Sequence, residues 1–107
     1  MAKYLMLAFN GSTGGEGDAE ALEEWYATDH LPGIHADDEV LTARRYKIVG
    51  GKMPGMEAWP YVSVYEMETD DMEALNRRLE ERLGPVHPAM DRSRSATVLA
   101  IKCAGDD

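Results

Sequence analysis

The sequence predicts an α+β fold: a four-stranded antiparallel sheet with two helices on one of its faces. Two observations lead to this prediction. Segments with the period of a strand and segments with the period of an amphipathic helix follow one another in the order β-α-β-β-α-β. Two split β-α-β units in this order form such a sheet and place both helices on the same side. The 107 residues have the length of one domain, so we assign residues 1–107 to a single domain.

The first part of the chain predicts a strand and then a helix. Residues 3–10 carry aromatic and aliphatic side chains on both faces, and the glycine-rich segment 11–17 ends this strand. We interpret that segment as a flexible connection that could serve as a lid. Asp18 is the expected N-cap of the helix, and we expect Pro32 and Gly33 to stop it. Between these limits the helical spacing of three and four joins Ala19, Leu22, Trp25, Tyr26, Asp29 and His30.

Two strands and a loop follow the first helix. Residues 40–49 are rich in β-branched and long side chains, residues 50–58 lack periodicity, and residues 59–67 alternate as a strand. In the second strand, Arg44 and Arg45 point to opposite faces, so either could face inward. One face of the third strand carries Tyr61, Ser63 and Tyr65.

The last part of the chain predicts a second helix and a final strand. Asp70 followed by Glu73 resembles a capping box, and the helix is expected to end at residues 84–85, a Gly-Pro pair. Residues 95–102 alternate as the last strand. The apolar stripe of the second helix consists of Met72, Leu75, Leu79 and Leu83.

One face of such a sheet has no helices, and its side chains are too apolar to leave in water. A two-fold homodimer that packs sheet against sheet would cover this face and could leave a cavity between the sheet and the first helix. The residues expected on the uncovered face, or else their alternates, are Tyr4, Met6, Ala8, Tyr61, Ser63, Tyr65, Thr97 and Leu99.

Composition excludes several classes of function. A formal net charge of −9 argues against nucleic acid, because proteins that bind phosphate backbones present basic surfaces. No stretch approaches the roughly 20 apolar residues of a membrane span, and no signal-peptide cleavage site follows the first residues, so we expect a cytoplasmic protein without a membrane partner. The single cysteine, Cys103, fits a reducing compartment.

Motifs for metals, cofactors and phosphate are not found. The glycine-rich segment lacks the lysine of a phosphate loop, and no Gly-x-Gly-x-x-Gly follows a strand. His30, His35 and His87 lack the spacings usual in zinc sites, and Cys103 has no neighbouring base. We therefore expect no metal and no cofactor.

Residues 24–34 carry the strongest indication of chemistry. Tyr26 and His30 lie four residues apart, so their side chains share one face of a helix and could touch a common ligand. The pKa of an unperturbed imidazole, about 6.5, lets it exchange protons near neutrality. This pair predicts acid/base chemistry.

The order of elements and the sequence Trp25-Tyr26-x-x-x-His30-Leu31-Pro32 together resemble the EthD-like branch of the dimeric α+β barrel superfamily, which has a ferredoxin-like fold. The strand that follows, residues 40–46, is also similar to the strand after the histidine motif in such proteins. The resemblance implies a homodimer with a pocket between the sheet and the first helix, and with His30 at the mouth or wall of that pocket. Related barrels include lactone isomerases, polyketide cyclases, dehydratases and cofactor-free oxygenases, so the reaction is left open.

We therefore expect a cofactor-independent lyase, isomerase or cyclase that acts on a small hydrophobic molecule of aromatic or polyketide-like structure. His30 is the expected general base and acid, and Tyr26 its catalytic partner. The alternatives are a cofactor-free oxygenase of the same fold and a non-catalytic dimer that binds small molecules. The expected substrate-binding residues are Trp25, Arg44, Arg45, Tyr61, Tyr65 and His87.

Overall fold

The computed structural model describes residues 1–104, and of Ala58 only the backbone. Four strands form one antiparallel sheet in the order β2-β3-β1-β4. The strands are β1 (Ala2–Asn10), β2 (Val40–Lys47), β3 (Tyr61–Thr69) and β4 (Ala96–Ile101). The helices are α1 (Asp18–Trp25), a π-helical turn (Tyr26–His30), α2 (Leu31–His35) and α3 (Met72–Leu83). This order and topology confirm the predicted fold class, a ferredoxin-like α+β fold.

The first helix does not stop at Pro32 and Gly33, and that prediction was wrong. The chain stays helical from α1 through the π-helical turn into α2, which ends at His35. The Leu31 amide donates to the Tyr26 carbonyl five residues earlier, and this wider turn relieves the clash that a proline ring makes with the preceding turn of an α-helix. The N-cap also differs from the prediction, since Gly17 precedes the helix with a left-handed backbone (φ 79°).

The second predicted helix is confirmed as α3, with its N-cap one residue later than expected. The Asp71 carboxylate, and not that of Asp70, accepts from the amide of Ala74 at 3.0 Å. The helix ends at Gly84, whose φ of 67° suits a glycine. None of the helices within residues 1–104 is long and apolar enough to cross a bilayer.

An ion-pair network holds α3 against the turn between α2 and β2. Arg78 on α3 donates to both oxygens of Asp37, at 2.9 and 3.1 Å, and to Glu39 at 2.6 Å. These hydrogen bonds from Arg78 lower the pKa of the buried Asp37 carboxyl below its usual value. The network fixes α3 over the sheet, and α3 forms one wall of the candidate site.

The hydrophobic core lies between the helices and one face of the sheet. Tyr65 and Met67 of β3 pack against Ile34 of α2 and against Leu75 and Leu79 of α3. The residues that we predicted for the uncovered face share the face of Tyr65, which the helices cover. The alternating residues on the same strands form the uncovered face. Alternation in a strand defines two sets of side chains, but it does not say which set the helices cover.

The uncovered face of the sheet is largely apolar. Its exposed members include Leu5, Tyr46 and Val98, whose side chains are 38%, 48% and 49% exposed. Other apolar side chains of this face are partly buried; they include Leu7, Phe9, Val62 and Val64.

The start of the glycine-rich segment is fixed to the chain before β4. Thr13 donates its amide to the carbonyl of Ala89 at 2.9 Å, and the amide of Asp91 donates to the carbonyl of Gly11 at 2.9 Å. Ser12 also forms an isolated β-bridge with Met90. These contacts tie residues 11–13 of this segment, which we interpret as a flexible connection, to the chain before β4.

Candidate functional site

A cavity of about 230 Å³ lies between the covered face of the sheet and the helices. Apolar side chains of the sheet and of the helices line it, and His30 and Tyr26 of the π-helical turn reach it together. Its lining consists of Met6, Ala8, Tyr26, His30, Ile34, Tyr65, Met67, Asn76, Leu79, Glu80, Leu83, Gly84 and Thr97. A larger depression of about 340 Å³ at the strand ends has no histidine among its described lining residues. Another depression, of about 370 Å³, is lined by His30, Trp25 and Arg82 but by neither Tyr26 nor Tyr65. The pair of His30 and Tyr26 therefore singles out the smaller cavity.

His30 is half-buried and rests on an aromatic surface. Its ring stacks on Trp25 with centroids 4.4 Å apart and meets the ring of Tyr26 edge-on at 5.1 Å. Its Nδ1 is buried and has no hydrogen-bond partner among the described residues. Burial lowers the pKa of His30 below 6.5, and the positive charge of Arg45 lowers it further, so the imidazole is neutral at pH 7. A neutral imidazole keeps one unprotonated nitrogen, which can accept a proton.

Tyr26 is almost fully buried, with 2% of its surface exposed. The Asn10 side-chain amide donates to its hydroxyl oxygen at 2.9 Å. Burial raises the pKa of Tyr26 by more than the nearby Arg45 lowers it, so the phenol keeps its proton at neutral pH. The site therefore places a hydrogen-bond donor, the Tyr26 phenol, beside a base, the His30 imidazole.

Arg45 lies behind Tyr26 and is clamped in place. Its Nε and Nη2 donate to the two oxygens of Glu23 at 2.9 and 2.8 Å, and its Nη1 donates to the hydroxyl of Ser63 at 2.9 Å. Its guanidinium carbon lies 3.7 Å from the centre of the Tyr26 ring and 5.1 Å from that of Tyr61. The charge of Arg45 is therefore used to hold Tyr26 and to pair with Glu23.

Tyr65 provides a second phenol on the cavity wall. It lies on the same face of β3 as Ser63 and is 4% exposed. Burial raises the pKa of Tyr65 to about 12, although a hydrogen bond with Ser63 opposes the shift. Tyr65 therefore also stays protonated and available as a donor.

The other predicted site residues lie around the cavity and not in its lining. Trp25 supports His30 from behind, and His87 packs on Trp25 with ring centroids 5.8 Å apart. The Nδ1 of His87 accepts from the amide of Ala89 at 3.0 Å. Tyr61 contacts the Arg45 guanidinium, whereas Arg44 is exposed and points to the uncovered face of the sheet.

No family model matches the chain, and no curated protein matches it in sequence. Among solved structures, it is similar to the structure of Rv0793 from Mycobacterium tuberculosis, with a TM-score of 0.53. The two chains share 10% sequence identity, over 100% of this chain and 98% of the other. The similarity shows a shared fold. At this identity, site chemistry has to be argued from the residues of this chain.

Sequence reasoning missed four polar residues of the site and its surroundings. Two of them, Asn76 and Glu80, lie four residues apart on α3, and this spacing was a usable signal once the apolar stripe of that helix was known. The other two, Asn10 and Glu23, come from separate elements and meet around Tyr26 and Arg45. No local pattern predicts a meeting of residues so distant in sequence.

Within residues 1–104, no three side chains of His, Cys, Asp or Glu come together as a group that could hold a metal ion. What the cavity offers is a base in His30, two protonated phenols in Tyr26 and Tyr65, and a lining that is otherwise apolar except for Asn76, Glu80 and Thr97. Such a set can remove a proton from a carbon or an oxygen and donate a hydrogen bond to the oxyanion that forms.

Proposed function

We propose that the protein is a cofactor-independent acid/base enzyme of the lyase, isomerase or cyclase type, and an EthD-like member of the dimeric α+β barrel superfamily. Its substrate is a small hydrophobic molecule of aromatic or polyketide-like structure. The observation that carries the proposal is that the neutral His30 imidazole and the protonated Tyr26 phenol line one mostly apolar cavity. The single cysteine supports a cytoplasmic location.

In the proposed reaction His30 removes a proton from a carbon next to a carbonyl, or from a phenol. Tyr26 or Tyr65 donates a hydrogen bond to the developing oxyanion, and His30 then returns the proton at a second position. The lowered pKa of His30 keeps it unprotonated at pH 7, and the raised pKa of each tyrosine keeps its donor proton. In an apolar cavity, such hydrogen bonds to a developing charge are stronger than in water.

Exchange of α-protons for deuterium tests the proposal without knowledge of the product. We expect the wild-type protein to accelerate exchange at the α-carbon of 2-tetralone, a neutral two-ring ketone, above the rate given by free imidazole. His30→Ala should lower the protein-catalysed rate by about 10² to 10⁴, which is the usual contribution of a positioned base. The rate, followed by proton NMR in deuterium oxide, should rise with pH and level off below 6.5, because the pKa of His30 is lowered.

His35→Ala is the matched control, because His35 is exposed and its Nε2 lies 3.2 Å from the carbonyl oxygen of Leu41, away from the cavity. It should keep the wild-type exchange rate. Equal rates for the wild type and His30→Ala would contradict the proposal. Binding of 2-tetralone without accelerated exchange would favour the non-catalytic binding alternative, and oxygen consumption would favour the oxygenase.

We also propose that the protein is a homodimer whose subunits pack through the uncovered face of the sheet. Four strands of up to nine residues present a face of about 20 by 30 Å, so two such faces bury about 1,200 Å² in projection, enough for a specific interface. The exposed Leu5, Tyr46 and Val98 support this use of the face. A two-fold pair would leave the cavity on the outer side of each sheet, next to the helices.

A further inference from the structure

The charges around the cavity indicate which ligands it accepts. Of the described residues in its lining, Glu80 carries the one formal charge when His30 is neutral. Arg45, which could have attracted an anion, is paired with both oxygens of Glu23 and is not part of the lining. The positive charge of Arg45 still acts on the end of the cavity that holds His30. On the α3 side, the Glu80 carboxylate repels anionic groups and attracts hydrogen-bond donors.

Glu80 and its neighbour on α3 are available to a ligand. Asn76 and Glu80 are one helical turn apart, so both project from the same side of α3 toward the cavity. Neither side chain forms a hydrogen bond or an ion pair with another described residue. They lie on the α3 wall, whereas His30 and Tyr26 come from the π-helical turn. A ligand can thus meet the base at one end and the α3 carboxylate at another.

We propose that the cavity selects neutral molecules that carry a hydroxyl group, which donates a hydrogen bond to the Glu80 carboxylate, and that it discriminates against carboxylates of the same size. This inference rests on the proposed function, because it takes the same cavity as the substrate site. Glu80 is then a specificity-determining residue, and the substrate is a phenol, or an enolisable ketone with a hydroxyl group, and not an aromatic acid. The volume of about 230 Å³ lies below the roughly 300 to 1,000 Å³ of drug-sized sites, which favours one or two rings.

The proposal has two parts: a preference for a hydroxyl donor and a discrimination against an anion. Three probes of equal ring size separate them. They are 2-naphthol, which is neutral and a donor, 2-methoxynaphthalene, which is neutral without a donor, and 2-naphthoate, which is an anion. Titration calorimetry at pH 7 gives the affinities, and the NMR signal of the His30 ring reports that binding occurs in the cavity. We expect the wild type to bind 2-naphthol about tenfold more tightly than either of the others, as a hydrogen bond to a charged acceptor predicts.

Glu80→Gln removes the charge and keeps the size of the side chain. It should reduce the preference for 2-naphthol over 2-naphthoate at least about threefold, since part of the repulsion is screened by solvent at this exposed position. Glu81→Gln is the matched control: it removes the same charge at the next residue, which is exposed and outside the lining. Glu81→Gln should leave all three affinities unchanged.

Three results would overturn the proposal: wild-type protein that binds 2-naphthoate as tightly as 2-naphthol, equal effects of the two glutamine variants, or no binding of any probe near His30. The outcome is independent of catalysis, because only binding is measured. If His30→Ala kept the full exchange rate while Glu80→Gln changed ligand preference, the proposed reaction would fail and the charge selectivity would stand. The reverse pattern would leave His30 as the base and remove Glu80 from ligand selection.

Discussion

At the scale of single residues, the protonation states of His30 and Tyr26 follow from where their side chains are buried. Burial disfavours the imidazolium of His30 and the phenolate of Tyr26, so both groups are neutral at pH 7. In the unfolded chain His30 binds a proton more readily than in the folded chain. Its contribution to the free energy of unfolding is therefore largest above pH 6.5 and falls as the pH decreases from 6.5 toward the folded pKa.

Arg45 contributes at the same scale through its contacts with Glu23, Ser63 and the ring of Tyr26. Arg45→Met leaves the Glu23 carboxylate and the Ser63 hydroxyl without this donor and removes the cation from the Tyr26 ring. We expect the free energy of unfolding to fall by about 1 to 3 kcal/mol, with the lower end set by the partial exposure of Glu23. Urea denaturation followed by circular dichroism measures this change.

Arg77→Met is the control for that substitution. Arg77 is exposed on α3 and forms no ion pair with any described residue, and methionine has a similar helix propensity to arginine. Its free energy of unfolding should stay within about 0.5 kcal/mol of the wild type. A loss for Arg45→Met no greater than for Arg77→Met would show that the Arg45 cluster does not stabilise the fold.

At the scale of elements, periodicity in the sequence was enough to predict four strands, two helical segments and their order. It was not enough to predict the π-helical turn, because proline and glycine at residues 32–33 are local stop signals that a wider turn can override. The spacing of Tyr26 and His30 nevertheless identified two side chains that line one cavity. Two residues that lie within one turn of each other share a face in an α-helix and also in a π-helical turn.

The packing of α2 on α3 is close at Gly33. A Cβ on Gly33 would lie 2.8 Å from the Cδ2 of Leu83, which also lines the cavity. This close approach brings α3, and with it Glu80, to the wall opposite the sheet. Contacts of this kind join residues 50 positions apart in the chain, so they depend on the tertiary structure and have no local sequence signal.

The choice between Arg44 and Arg45 as the arginine that faces the helices also depends on the tertiary structure. Alternation in β2 predicts that Arg44 and Arg45 diverge, and the structure has Arg45 on the helix-covered side. Which of them is covered depends on the irregularity between Val40 and Thr42, where the register of β2 against β3 shifts. A shift of one residue exchanges the two faces, and the amino-acid pattern alone does not place it.

At the scale of the whole molecule, we predict that the uncovered sheet face is the interface of the proposed dimer. Val64 lies on this face in the central strand β3, paired with Leu7 of β1. Val64→Lys would place a charge in the middle of the proposed interface, where its burial is unfavourable, so we expect a monomer. Light scattering coupled to size-exclusion chromatography should give the mass of two chains for the wild type and of one chain for the variant.

Val49→Lys adds the same charge at a residue that is 93% exposed and lies outside the sheet. It should remain a dimer. A wild-type mass of one chain, or a dimer that persists in Val64→Lys, would contradict the proposed interface. The cavity is formed by described residues of one chain, so ligand binding in the monomeric variant would show whether a second copy is needed for the site.

The proposed function requires His30 to be a neutral base inside a ligand cavity. NMR titration of its ring protons tests this most directly. Signals of the three histidines can be assigned from single alanine variants. We expect a midpoint below 6.5 for His30, and a further change in its signal when 2-naphthol fills the cavity. A midpoint at or above 6.5, together with a signal that does not respond to 2-naphthol, would contradict it.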